Sequence, residues 1–302
     1  MKIIYLFSFL GLILLISSCS APRTILHSGR VTKHKTFRAG ADYSFNFSTA
    51  PVGTAYSTIK SISKQLINKD TIVLNDQIFN LSKTAVSYVL DPIASGYDIY
   101  ARYGIFRKTD IGYKYSSGCH VFDVRYQFTG NSNYTEAIEN KSLCGSVGLQ
   151  YSIQKFELPS LFGLVDVQKI LGLEVNRKDF LVPLAFSTDF GNTEKIGSFA
   201  FGAIYNLSLI HYSFNPENIY QYDQSNVLTS IPIIDEKKVS HSVGLFVNCK
   251  VGYKFIYFIP SLAMYYQNYG TYKLIGGTSK IKGFTIIPSL GLQFNFRLWK
   301  SK

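Results

Sequence analysis

Residues 284–299 read FTIIPSLGLQFNFRLW, and this stretch constrains the fold more than any other. Phe284, Ile286, Pro288, Leu290, Leu292, Phe294, Phe296 and Leu298 alternate with Thr285, Ile287, Ser289, Gly291, Gln293, Asn295, Arg297 and Trp299. Alternation at period two means a β-strand, because successive side chains point to opposite faces. One face is almost wholly large and apolar, while the other is mostly small or polar. A strand of this kind satisfies its surroundings when one side meets lipid and the other meets a polar barrel interior.

The same pattern recurs along the chain. A first strand is expected over 37–48, with Phe37, Ala39, Ala41, Tyr43, Phe45 and Phe47 on one face. Residues 96–128 then read as three strands, GYDIYARYGIF, IGYKYSSG and CHVFDVRYQF, the first two separated by RKTD. Further strands are expected over 143–156, 179–190, 196–214, 239–254, 256–268 and 284–299. The whole reads as an all-β chain, an antiparallel up-and-down transmembrane β-barrel of about ten strands, within a range of roughly 8 to 12. Short helices are expected in the long connections. Tyr56, Ile59, Ile62 and Leu66 recur at helical spacing, and Ser160 is placed to cap a helix running to Leu171. The YARYG, short turn and IGYKY hairpin resembles the repeated hairpins of uncharacterised outer-membrane β-barrel proteins. That resemblance covers about a tenth of the chain and implies an architecture, not an activity.

The order of connection lengths gives an orientation, since membrane barrels have short periplasmic turns and longer outer loops. With the first strand rising from the periplasm, the outer connections are 49–95, 116–118, 157–178, 215–238 and 269–281, mostly long. The inner ones are 107–109, 129–142, 191–195 and 254–255, mostly short. Interfacial aromatic girdles are expected of such barrels. Tyr253, Phe255, Tyr257 and Trp299 are assigned to the inner one and Tyr265, Tyr266, Tyr269 and Tyr272 to the outer one.

The chain begins with Lys2, an apolar run from Ile3 to Ile16, then Ser17, Ser18 and Cys19. The run is shorter than the roughly 20 residues of a spanning helix and reads as a processing signal. Ile16-Ser17-Ser18-Cys19 resembles the lipobox of bacterial lipoproteins. The resemblance implies a signal peptide over 1–18 and a covalent diacylglyceryl lipid on Cys19, with no other cofactor. Residue 20 is Ser, not the Asp that hints at inner-membrane retention, and no acidic cluster lies between Ser20 and Ala41. The expectation is therefore a lipid-anchored amino terminus on the periplasmic side of a bacterial outer membrane. Residues 19–36 form a polar, basic tether to a barrel domain over 37–302.

The net charge of +12 is spread over turns and strand faces. No basic patch interleaved with aromatics indicates nucleic acid, and a rim beside anionic lipid headgroups is the better use of the charge. Cys119, Cys144 and Cys249 show no CxxC spacing, so no metal site follows, and a disulfide stays open. On the polar strand faces Arg38, Asp42, Asp98, Arg102, Lys114, Asp123, Arg125, Lys250 and Arg297 are directed into the lumen. They must be paired or wet, since an unpaired buried charge is costly. They read as an ion-paired filling of a narrow barrel or, because bases outnumber acids among them, as a cationic constriction.

Catalysis needs a His near a nucleophile or carboxylate. His27 and His34 fall in the tether and His120 at a tight turn, while His211 and His241 lie near the outer ends of their strands. No GxSxG, HExxH or phosphate loop occurs. The sequence thus points to a non-enzymatic outer-membrane barrel lipoprotein, structural or a narrow small-solute pore, with outer-membrane lipids as its partners. An envelope binding or assembly protein acting through 49–95 and 157–178 is the first alternative, and a rim-sited lipid-modifying enzyme is another. A lipid-tethered soluble β-barrel or β-sandwich also alternates, but it turns its apolar face inward around an apolar ligand or core.

Overall fold

The computed structural model describes residues 23–50, 72–73, 76–130, 143–156, 170–190, 196–216, 218–222, 224–253 and 255–297. Ten strands form one closed antiparallel barrel in which each wall strand pairs with the next along the chain. They are β1 (Thr36–Ser48), β3 (Ala94–Phe106), β4 (Thr109–Ser116), β5 (Cys119–Thr129), β6 (Cys144–Phe156), β7 (Leu173–Asp189), β8 (Gly197–Phe214), β11 (Ile234–Tyr253), β12 (Ile256–Leu274) and β13 (Gly277–Arg297). The ring closes where β1 pairs with β13, Thr36 opposite Arg297 and Tyr43 opposite Leu290. Closure leaves no unpaired strand edge, as a barrel in lipid requires. Outside the wall, β2 (Ile72–Val73), β9 (Ile219–Tyr222) and β10 (Leu228–Ser230) form a small sheet, and α1 spans Asp76–Leu90.

Alternation decides which side of the wall meets what. On β13, Phe284, Ile286, Leu290, Leu292, Phe294 and Phe296 are exposed on the outside, while Thr285, Ile287 and Gln293 are buried within. On β12, Phe258, Leu262, Met264 and Tyr266 face out, and Tyr257, Ile259, Ser261 and Tyr265 face in. The outward belt continues around the ring through Tyr43, Ile99, Phe122, Leu149, Leu184, Tyr205 and Leu245. A water-soluble barrel has the opposite polarity, with large apolar side chains inside, so the soluble alternative is set aside.

One end of the barrel carries the start of β1, the end of β13 and the connections 107–108, 130–143, 190–196 and 254–255. The other carries 49–93 with α1, the turn Ser117–Gly118, and connections 157–172 and 215–233. These are termed the inner and outer ends, following the short-turn rule. The outer rim is uneven, since β4 has 8 residues and β5 has 11, while β12 has 19 and β13 has 21.

Several boundaries differ from those expected. β7 begins at Leu173 and not at 179, β11 at Ile234 and not at 239. The expected outer loop 269–281 is instead a tight hairpin, with β12 running to Leu274 and β13 starting at Gly277. Above the apolar belt the outward positions become Lys178, Lys237, Lys273, Lys280 and Lys282, so apolar alternation stops while the ladder continues. The register shift between Asn268 and Gly270 also inverts the parity, and Gly270 takes the positive φ of 80° that this bulge needs.

The tall wall serves α1. Ile78, Leu81, Ala85 and Val89 recur on one helical face, and Asp76 sits in the first turn, where the helix end favours negative charge. That face packs inside the outer mouth against Tyr212 and Phe214 of β8, Tyr272 and Leu274 of β12, and Ile281 of β13. Ser82, Thr84 and Ser87 donate to the carbonyls of Phe79, Asn80 and Lys83 at 2.8, 2.8 and 2.9 Å, so hydroxyls enter this apolar core already satisfied. The helix expected around Tyr56 to Leu66 lies outside the described residues. Of the one expected up to Leu171, only Ile170 and Leu171 are described, both helical. The aromatic assignment is corrected at four positions, and Trp299 lies outside the described residues. Tyr257, Tyr265, Tyr269 and Tyr272 are buried inside the barrel, whereas Tyr253, Phe255 and Tyr266 face outward.

A charge on the outer face at mid-belt must enter lipid, so Leu290→Arg is expected to lower the unfolding free energy in bilayers by about 2–4 kcal/mol. Denaturant titration of the variant in lipid vesicles checks this, and an unchanged midpoint would contradict a lipid-facing belt.

Candidate functional site: the occupied lumen

The lumen is filled by the chain's own residues 23–35. These were expected to be a free tether; instead they form a strap running down the barrel axis from the outer end to the inner end. Its contacts descend in order. The Tyr265 hydroxyl donates to the Arg23 carbonyl at 2.6 Å, and Ser261 to the Ile25 carbonyl at 3.1 Å. Asn248 reaches the His27 carbonyl at 2.9 Å, and Arg125 the Ser28 carbonyl at 3.1 Å. Below these, the Val31 amide donates to Gln127 at 3.2 Å and the Thr32 amide to Asp110 at 2.6 Å. At the inner end the chain turns back into β1. Lys35 adopts a φ of 58°, its amide meets the Gly104 carbonyl at 3.0 Å, and Thr36 bonds back to Lys33. Gly29 lies tight against the wall, since a Cβ there would be 2.0 Å from the Cys144 carbonyl oxygen.

Many of the charges around the strap are paired. Asp110 is fully buried and accepts from Arg102 at 2.6 Å and from both Nε and Nη2 of Arg125 at 3.0 and 2.6 Å, besides the Thr32 amide. Arg102 also bonds Asp123. Lys114 pairs with Asp98 at 2.8 Å and donates to the Thr24 carbonyl at 3.1 Å, while the Thr24 and Ser116 hydroxyls donate to Asp98. At the outer end Arg23 meets Asp91 at 2.8 Å, and Asp91 accepts further bonds from Asn46, Ser48 and Thr285. At the inner end Arg30 meets Asp189 at 2.6 Å. Higher on β7, Arg177 pairs with Asp179 at 2.8 Å and reaches the Leu90 carbonyl at the end of α1 at 3.0 Å, tying lid to wall.

A cavity of about 40 Å³ remains beside the strap, lined among others by His27, Arg38, Asp42, Tyr100, Gln150 and Lys250. It has room for a few waters at roughly 10–15 Å³ each. His27 Nδ1, Asp42 Oδ2 and Gln150 Oε1 are buried with no hydrogen-bond partner in the protein, which makes the space polar enough to hold water. The Lys250 ammonium lies 4.9 Å from the centre of the Tyr257 ring.

Of the residues directed by sequence into the lumen, Arg38, Asp42, Asp98, Arg102, Lys114, Asp123, Arg125 and Lys250 all border this cavity. The side chain of Arg297, and Cys19, lie outside what is described. Sequence reasoning misses Asp110, which it places in a turn although the residue shares parity with Gly112 and Lys114. It also misses Arg177, before the expected start of its strand, and Asp179, at that start, as well as Asp189, Arg23 and Arg30. These additions are three acids and three bases. Among the described wall residues Arg38, Arg102, Lys114, Arg125, Arg177 and Lys250 are matched by Asp42, Asp98, Asp110, Asp123, Asp179 and Asp189. With Arg23, Arg30 and Asp91 counted, the interior charges named here are eight bases and seven acids, so both signs line the lumen.

The histidines do not converge. His211 bonds Asp235 at 2.6 Å on the exposed outer face, and His241 bonds the Tyr205 hydroxyl at 2.7 Å. In the β8–β11 register His211 stands opposite Lys237 and His241 opposite Leu207. His120 bonds the Tyr113 hydroxyl at 2.7 Å. No disulfide joins any two of Cys119, Cys144 and Cys249.

Neither a protein-family model nor a curated protein matches the sequence. Among solved structures the chain is similar to Neisserial surface protein A, at 11% identity over 86% of this chain and 96% of that one, TM-score 0.32. It is also similar to Ail, the attachment invasion locus protein of Yersinia pestis, at 10% identity over 88% and 100%, TM-score 0.30. A third is a major outer membrane protein from Thermus thermophilus, at 8% identity over 86% and 99%, TM-score 0.33. These scores are too low to mark a common fold, and nothing those proteins do is transferred to this chain.

Asp110→Asn keeps the shape but leaves Arg102 and Arg125 short of a charge, and breaking a buried pair in this way costs about 3–5 kcal/mol. Asp235→Asn breaks an exposed pair and is expected to cost about 0–1 kcal/mol. Urea unfolding of both variants in lipid measures the contrast.

Proposed function

We propose that this protein is a non-enzymatic β-barrel of a bacterial outer membrane whose role is structural, with its lumen held shut. The carrying observation is the occupied interior, with a strap along the axis, paired charges around it and α1 seated in the outer mouth. An open pore needs a continuous water path, and here the path is closed by both strap and lid. The outward apolar belt supports lipid as the surrounding medium, and the exposed aromatics Phe106, Phe190, Tyr253, Phe255 and Phe296 at the inner end support an interfacial girdle. Lipidation of Cys19 fits the same setting.

A second reading, contact with another envelope component, is favoured by one feature of the outer face. Among the described residues the small sheet ends on β10, and Tyr222, Val227, Leu228 and Ile233 are exposed around it. On this reading the barrel is the anchor and its outer connections make the contact.

Planar-bilayer recording tests the closed lumen. The intact protein is expected to show no steady open-channel steps, while a variant lacking residues 23–34 that still shows a heat-dependent gel shift is expected to conduct. Steady conductance by the intact protein would contradict the proposal.

A further inference from the structure

The direction of the strap carries a consequence for the lipid on Cys19. We propose that the strap brings the amino terminus out at the outer end, so that Cys19 anchors in the outer leaflet and not on the periplasmic side; this rests on the outer-membrane reading above. The strap enters the wall contacts at its highest point with Arg23 and Thr24. The Thr24 hydroxyl bonds Asp98 together with that of Ser116, the last residue of β4 before the rim turn Ser117–Gly118. Asp98 and Ser116 are paired in register, so Thr24 lies at the level of the low rim between β3 and β4. Arg23, one residue further out, is bound to Asp91 and Tyr269 just beneath the end of α1.

Cys19 precedes Arg23 by four residues. At roughly 3.3–3.6 Å per residue such a segment reaches at most about 14 Å. The apolar belt of an outer-membrane barrel is about 25 Å tall, so Cys19 cannot return to the periplasmic leaflet from this position. The way back down the axis is also taken by the strap itself. Outward, the low wall of β4 and β5 separates the lumen from lipid by the shortest strands of the ring. Its lipid side presents Tyr97, Tyr113, Tyr115 and His120, with Tyr115 and His120 rings 5.5 Å apart, a group suited to the headgroup region. Lipid chains attached near this rim enter the leaflet that these aromatics mark.

The test uses the full chain in its membrane, with an epitope flanked by flexible linkers inserted between Ser20 and Ala21. A reference epitope is placed in the outer connection at Ser225–Asn226. Antibody binding to intact and to permeabilised cells is compared, with the heat-dependent gel shift reporting a folded barrel. The inference predicts that both epitopes bind on intact cells, with the same ratio of intact to permeabilised signal. Binding of the reference on intact cells with the amino-terminal epitope seen only after permeabilisation would overturn it and leave the barrel reading standing. If neither binds on intact cells, the orientation fails and the inference with it. Should the insertion disturb folding, Ala21→Cys labelled with a membrane-impermeant maleimide replaces it. Labelling of intact cells above the unsubstituted protein supports the inference, and labelling only after permeabilisation overturns it.

Discussion

A barrel turned apolar side out has to fill its interior with polar groups that satisfy one another, and the cluster on Asp110 is where this chain meets that demand most fully. Arg102, Arg125 and the Thr32 amide converge on one carboxylate at 0% exposure. Removing an ion from water is expensive, and the attraction within the pair returns that cost only when the remaining donors and acceptors are also satisfied. Here the strap supplies the missing donor. The wall and the strap are therefore one polar system, in which neither half is complete without the other. The same relation holds at both ends, where Asp91 takes Arg23 and Asp189 takes Arg30.

Ordering a strap costs about 1–2 kcal/mol of backbone entropy per residue. Contacts along its length oppose that cost. Carbonyls of Arg23, Thr24, Ile25, His27 and Ser28 each accept a side chain from the wall, and Ile25 is fully buried. Above it the chemistry changes from polar to apolar. The tall strands enclose α1 with an aromatic and aliphatic core, and Arg177 connects the two regions by bonding both Asp179 and the Leu90 carbonyl. Among the described residues, β4 and β5 contribute nothing to that core.

Much of the wall was legible in sequence because lipid imposes a strict period. β13, β1 and the β3 to β5 hairpins follow from alternation alone, and connection lengths gave the two ends. Legibility failed where lipid no longer selects the outward residue. Lys273 and Lys280 stand on continuing strands, yet they read as loop. The strap was missed for a related reason, since RTILHSGRVTKHK has no period of its own and its partners come from strands far along the chain. Asp110 was hidden by its place beside a turn, although its parity with Lys114 was available. The helix Asp76–Leu90 carried its stripe openly, while the helical spacing around Tyr56 drew the assignment elsewhere.

Amide hydrogen exchange in lipid tests the integral strap most directly. The account predicts that the Val31 and Thr32 amides, bound to Gln127 and Asp110, exchange as slowly as amides of the barrel strands. Exchange at the rate of the exposed turn residues Arg107 and Lys108 would show that the strap does not stay in the lumen, and would contradict the account.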